Sequence, residues 1–107
     1  MTTYVFDLDG TLCTQTPGDY ASAKPFIANI SRVNALYNEG HKIIIYTARG
    51  MGRSHNNPEF ANKNFYKFTA QQLEGWNVKY HELFLGKPAG DHYIDDRAIR
   101  AETFFGN

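Results

Sequence analysis

The chain has 107 residues, and eleven Lys+Arg balance eleven Asp+Glu to a formal net charge of zero. With 42% hydrophobic and 15% aromatic residues it can build one core, which excludes intrinsic disorder, and its neutral balance argues against a broad nucleic-acid or anionic-membrane surface. One cysteine, Cys13, allows neither an internal disulfide nor a Cys-rich zinc site. The longest purely apolar run, 43–46, is too short for a membrane helix, and the N-terminus has no basic leader. The expectation is a single cytoplasmic domain over 1–107.

Residues 3–8 (Thr-Tyr-Val-Phe-Asp-Leu) form an apolar run, which predicts a strand covered on both faces. Asp9-Gly10 ends it, and 11–23 read as loop. Pro25 opens a helix over about 24–39, in which Phe26, Ile27, Ile30, Val33, Leu36 and Tyr37 make one stripe. Gly40 stands where the helix stops. Residues 41–47 predict a second buried strand, and 48–57 a loop. Asn57 suits an N-cap with Pro58 behind it, predicting a second helix over 58–74 with Phe60, Phe65, Phe68, Leu73 and Trp76 facing inward.

Val78 and Tyr80 suit a short third strand, with 83–85 as its continuation or a helical turn. Residues 92–95 predict a fourth strand, and 97–104 a last helix. Helical crossovers between apolar strands imply an α/β fold with a mainly parallel sheet, and such sheets bind ligands beyond the carboxyl ends of their strands.

The residues just past each strand therefore carry the most information. The first strand ends in Asp7-Leu8-Asp9-Gly10-Thr11, the second in Thr47-Ala48-Arg49, and the third leads to Gly86-Lys87. The fourth ends in Asp95-Asp96. Four carboxylates on one edge repel one another, and a divalent cation is the usual remedy. Oxygen ligands without cysteine suit Mg²⁺, which polarises a phosphoryl oxygen. Lys87 can offset further negative charge. Asp7 can serve as nucleophile and Asp9 as general acid/base.

Each element alone has a plainer reading: Asp9-Gly10 as a hairpin turn, Asp95-Asp96 as a solvated helix start, Thr47 as a β-former, Lys87 as a surface lysine. Their joint order favours the site. Arg49 and Arg53 could read a second anionic group, and His55 could touch substrate. An EF-hand beginning at Asp7 fails, with Leu12 where glycine belongs and Gly18 where glutamate belongs.

These residues resemble the haloacid dehalogenase (HAD) phosphohydrolase superfamily. Asp7-Leu8-Asp9-Gly10-Thr11-Leu12 matches its first motif, Thr47 its second, Lys87 its third, and Tyr93-Ile94-Asp95-Asp96 its fourth. The resemblance implies a three-layer, Rossmann-like fold and an Mg²⁺-dependent phosphomonoester hydrolase with an aspartyl-phosphate on Asp7. It implies Asp9 as acid and base. It implies Mg²⁺ on Asp7, the Asp9 carbonyl and Asp95, with Asp96 direct or one shell out. Thr47 and the Gly10 N–H would bind phosphoryl oxygens beside Ala48 and Lys87.

The small size, the Tyr46-Thr47-Ala48-Arg49-Gly50-Met51 run and the Gly86-Lys87-Pro88 to Asp95-Asp96 layout are also similar to small capsule-biosynthesis-type phosphatases, pointing to a small phosphorylated metabolite such as a sugar phosphate. Ile94-Asp95-Asp96-Arg97 resembles the phosphatase domain of phage polynucleotide kinase, pointing to nucleotide or polynucleotide 3′-phosphates. A non-catalytic phosphate-binding module is the rival of another class. No segment has room for a cap domain, so a large substrate, the loops or a second subunit of a homo-oligomer must close the site.

Overall fold

The computed structural model describes residues 1–106. In chain order it contains β1 (Thr3–Phe6), α1 (Ile27–Asn38), β2 (Lys42–Thr47), α2 (Pro58–Gly75), β3 (Glu82–Leu85) and α3 (Ala101–Phe105). Single 3-10 turns lie at Tyr20–Ser22 and Gly52–Ser54.

The three strands form one parallel sheet in the order β1-β2-β3. Thr3 to Phe6 lie opposite Lys42 to Ile45, and Ile44 to Thr47 opposite Glu82 to Leu85. The fold is thus α/β and Rossmann-like, with no cap. Both crossovers step the same way across the sheet, so right-handed connections put α1 and α2 on one face. Burial alternates accordingly: Phe6, Ile43, Ile45, Thr47, Leu83 and Leu85 are buried, whereas Val5 and Phe84 on the other face are exposed.

The helices form where local chemistry starts and stops them. Asn57 Oδ1 accepts the Glu59 and Phe60 N–H groups, and Pro58 follows at the first helical position. In α1, Ile30, Val33 and Leu36 face the core, while Ile27 stays exposed. In α2 the buried line is Ala61, Phe65, Thr69 and Leu73 at every fourth position; Phe60 and Phe68 lie outward. α3 lays Phe104 against Tyr4 and Phe6 with Arg32 over its ring.

One turn depends on glycine. Gly50 has φ +80°, and a Cβ there would meet Phe65 Cδ2 at 2.6 Å and the Ala61 Cα at 3.1 Å. Gly50→Ala combines a left-handed backbone with overpacking against α2, so we expect a loss of about 2 kcal/mol or more. A urea midpoint measurement checks it; an unchanged midpoint would contradict the packing.

Two sequence expectations fail. Val78 and Tyr80 precede the third strand, which begins at Glu82. Residues 92–95 form no strand. The reason is length: only six residues, 86–91, separate β3 from His92. A parallel crossover takes a dozen or more. Residues 88–100 instead run as an exposed arc from the end of β3 to α3.

Candidate functional site

The parallel strands all point their carboxyl ends at one edge. A cleft of about 260 Å³ lies there, lined by residues from the ends of all three strands: Asp7 and Asp9 after β1, Thr47, Ala48 and Arg49 at β2, Lys87 after β3. A larger hollow, about 460 Å³, lies beside α2 between Tyr66 and Tyr80. It contains one carboxylate, Glu74, and one lysine, Lys67, and none of the strand-end residues.

Asp7 is the acid open to the cleft, its side chain 37% exposed. Lys87 Nζ stands 3.4 Å from its Oδ1, and Thr11 Oγ1 donates to Oδ2 at 3.5 Å. Burial pushes the Asp7 carboxyl above its ordinary range, and the Lys87 charge and the Leu8 N–H only partly oppose this. Thr47 is buried; its Oγ1 accepts the Arg49 N–H at 3.2 Å, leaving its own O–H free to donate.

Asp9 is held differently. Arg49 Nε donates to Oδ2 and Nη2 to Oδ1, both at 2.9 Å. The guanidinium is fully buried, with Nη1 donating to Gln72 Oε1 at 2.7 Å and to Thr69 Oγ1 at 3.4 Å, and the Tyr20 ring lies 4.7 Å from its central carbon. This fork-to-fork clamp is the strong form of a carboxylate contact. Arg49 was expected to read substrate; its N–H groups face Asp9 and α2 instead. The Cys13 thiol, also buried here, is pushed up to about 12, first by burial and then by Asp9. It should stay unreactive to a disulfide reagent in the native state at neutral pH and react only on unfolding; rapid native labelling would contradict this.

Two further expectations meet a correction. Gly10, with φ +85°, does make the turn, but its N–H donates to the Cys13 carbonyl at 2.8 Å and not into the cleft. Asp95 and Asp96 lie on the exposed arc, where Asp95 Oδ1 accepts the Arg97 N–H and Asp96 faces Arg97. Neither lines the cleft. Among the described residues no group of three His, Cys, Asp or Glu could hold a metal ion. Missing the crossover, the fourth motif brings Tyr93 to the cleft but not its two acids.

Arg53 and His55 also do other work or none. Arg53 donates to the Gly18 carbonyl at 2.8 Å and stacks on Tyr20 and Phe65, which fixes the 11–23 loop onto α2. His55 is exposed and outside the cleft lining. Residues that sequence reasoning missed include Thr16 and Tyr93. The Thr16 hydroxyl lines the cleft, buried and without a hydrogen-bond partner. The Tyr93 ring lies 4.4 Å from Lys87 Nζ. Thr69 and Gln72 were readable as polar side chains on the inner face of α2, beside Ala61, Phe65 and Leu73.

The donors present include the kind Mg²⁺ takes, with the Asp7 carboxylate open to the cleft. They are few, because both Asp9 carboxylate oxygens are engaged by Arg49. Among the described residues no helix is long and apolar enough to cross a membrane.

A scan against protein-family models found no match, and neither did a search of curated proteins. Among solved structures, a Vibrio cholerae protein is 33% identical, with a TM-score of 0.90 over 100% of this chain and 89% of its own. The D,D-heptose 1,7-bisphosphate phosphatase of B. bronchiseptica, crystallised with magnesium and phosphate, is 15% identical, with a TM-score of 0.56 over 92% of this chain. The chain spans about half of that protein (54%), and the likeness is one of fold.

Proposed function

We propose that this chain, which belongs to the family of the Vibrio cholerae protein, hydrolyses phosphoric monoesters in the cleft around Asp7. The observation that carries this reading is the convergence of Asp7, Lys87 and Thr47 from three strand ends on one open cleft. The magnesium and phosphate held by the heptose bisphosphate phosphatase, a fold neighbour, agree with it.

Asp7 Oδ attacks phosphorus in line. The bond to the leaving oxygen breaks with its electron pair, leaving an aspartyl-phosphate and an alkoxide or alcohol. Lys87 and the Thr47 hydroxyl hold the phosphoryl oxygens as charge builds on them. Water then attacks phosphorus, Asp9 takes its proton, and phosphate departs with Asp7 restored. Mg²⁺, held on Asp7 and the Asp9 carbonyl, would supply neutralisation of phosphoryl charge.

The Arg49 clamp has a kinetic meaning in this scheme. To protonate a leaving oxygen, Asp9 must give up one of its two bonds to Arg49. Esters whose leaving oxygen needs little protonation are therefore favoured. With no cap, residues 1–107 act as one catalytic unit, and the unpartnered Thr16 hydroxyl is a ready contact for substrate.

Phosphate release with and without Mg²⁺ tests the proposal on a panel of an aryl phosphate, sugar phosphates and nucleoside 3′-monophosphates. We expect Mg²⁺-dependent turnover with the aryl ester fastest. A nucleotide preference would favour the 3′-phosphatase reading. Phosphate binding without release from any ester would leave a binding module.

A further inference from the structure

The cleft has two ends. Asp7, Thr47 and Lys87 make the phosphoryl end, and the segments 15–20 and 89–93 line the rest. The second segment is built as a wall. The Tyr93 hydroxyl donates to the Pro88 carbonyl at 2.6 Å and accepts the Gly90 N–H at 3.0 Å. The Ala89 N–H donates to Asn56 Oδ1 at 2.8 Å, which ties the same turn to the loop before α2. These bonds hold the Tyr93 ring against Lys87 Nζ, yet the residue stays 52% exposed.

Positive charge is confined to the phosphoryl end. Among the described residues, the cations lining the cleft are Lys87 and Arg49. Arg49 is fully buried, and its N–H groups are taken by Asp9, Thr69, Gln72 and the Cys13 sulfur. Arg53 is bound to the Gly18 carbonyl and stacked on Tyr20 and Phe65, so turning it toward a ligand would undo the anchor of the 11–23 loop. Away from Lys87 the walls offer uncharged groups, Gln15 and Thr16 on one side and Gly90 and Tyr93 on the other. One ammonium therefore faces an entering ester, beside two carboxylates. A first phosphoryl group takes it, and a second phosphate would stand desolvated and unpaired.

We propose that the cleft selects esters with a single phosphoryl group on an uncharged body and rejects those with a second phosphate, Tyr93 being the specificity-determining residue that touches the body. This rests on reading the Asp7 cleft as the phosphoryl site. A half-exposed ring suits the apolar face of a sugar or a base, and neutral amide and hydroxyl groups opposite suit its hydroxyls. Any metal held on Asp7 would act at the phosphoryl end and leave the far end uncharged. Polynucleotide ends are excluded on the same ground, because the next phosphodiester would fall where a second phosphate does.

Three compounds test it: glucose 1-phosphate, glucose 1,6-bisphosphate, and acetyl phosphate, which has almost no body. For the wild type, kcat/KM should be about tenfold or more higher with the monophosphate than with the bisphosphate. Tyr93→Leu lies on an exposed segment, and circular dichroism establishes that it folds. It should raise KM for glucose 1-phosphate about tenfold and change acetyl phosphate by less than about twofold. Gln15→Lys puts an ammonium in the opposite wall and should bring the bisphosphate several-fold closer to the monophosphate.

A wild type that takes the bisphosphate as readily as the monophosphate overturns the proposal. So does an unchanged ratio in Gln15→Lys. An equal loss on acetyl phosphate in Tyr93→Leu also overturns it, since the ring would then act only through Lys87. If the wild type hydrolyses none of the three, the proposed activity falls, and titration calorimetry with the two glucose esters decides the selection by itself. Tighter binding of the monophosphate upholds it; equal binding, reversed binding or none overturns it.

Discussion

Replacing Asp7 by asparagine is expected to silence turnover and, in metal-free buffer near neutral pH, to make the fold more stable. On the proposed mechanism the loss is roughly four orders of magnitude or more in kcat, since its nucleophile is gone. The gain in stability comes from the raised pKa. Burial pushes the Asp7 carboxyl above its ordinary 3.8, and Lys87 only partly counters this. A carboxyl raised in the folded state favours folding most below 3.8, and that contribution is lost as pH rises through the folded value. At pH 7 the wild type therefore carries an ionised group that the fold disfavours, and asparagine removes it. Thermal melts with a chelator should show the variant ahead at pH 7 and level with wild type below 3.8. A variant less stable at pH 7 would mean that the Lys87 pair outweighs burial.

Arg49→Met is expected to cost both stability and rate. The arginine is fully buried, and its removal leaves the Asp9 carboxylate, with its side chain 16% exposed, against an apolar group. Breaking such a pair from one side costs about 3 kcal/mol. Asp9 also loses the two bonds that fix its rotamer, and misplacement of a reacting group costs on the order of 100-fold. Arg49→Lys separates the two effects. It keeps the charge, so most stability should remain, but a lysine cannot make the planar fork, so kcat should still fall. If Arg49→Lys lost KM alone, the residue would be reading substrate after all.

The helices were legible because helical periodicity and caps are local. The spacing of Ile30, Val33 and Leu36 and the Asn57-Pro58 pair need no tertiary knowledge. The first three motif positions were legible for a related reason: parallel strands with helical crossovers must bring their ends together. What the letters could not convey is direction and reach. Arg49 comes two residues after Thr47, yet whether it turns toward the cleft or toward Asp9 depends on Thr69 and Gln72, twenty and more residues on. The Gly10 N–H looked available until the turn bent back onto Cys13. Residues 92–95 have the composition of a strand, but composition does not count the connection leading to them. The matching of the fourth motif was a match of letters; a connection of six residues decides where those letters end up.

The 11–23 loop lines one side of the cleft, and it is riveted down: Arg53 grips the Gly18 carbonyl, Tyr20 stacks edge-on against Phe65, and the Tyr20 hydroxyl accepts the Gly50 N–H. Enzymes with hinged covers wait for them to swing, and that swing sets their pace. A wall already fastened beside an open cleft removes the waiting step. Inorganic phosphate can diffuse out as soon as it is made, and turnover should be indifferent to solvent viscosity, with the breaking or making of a bond to phosphorus setting the tempo.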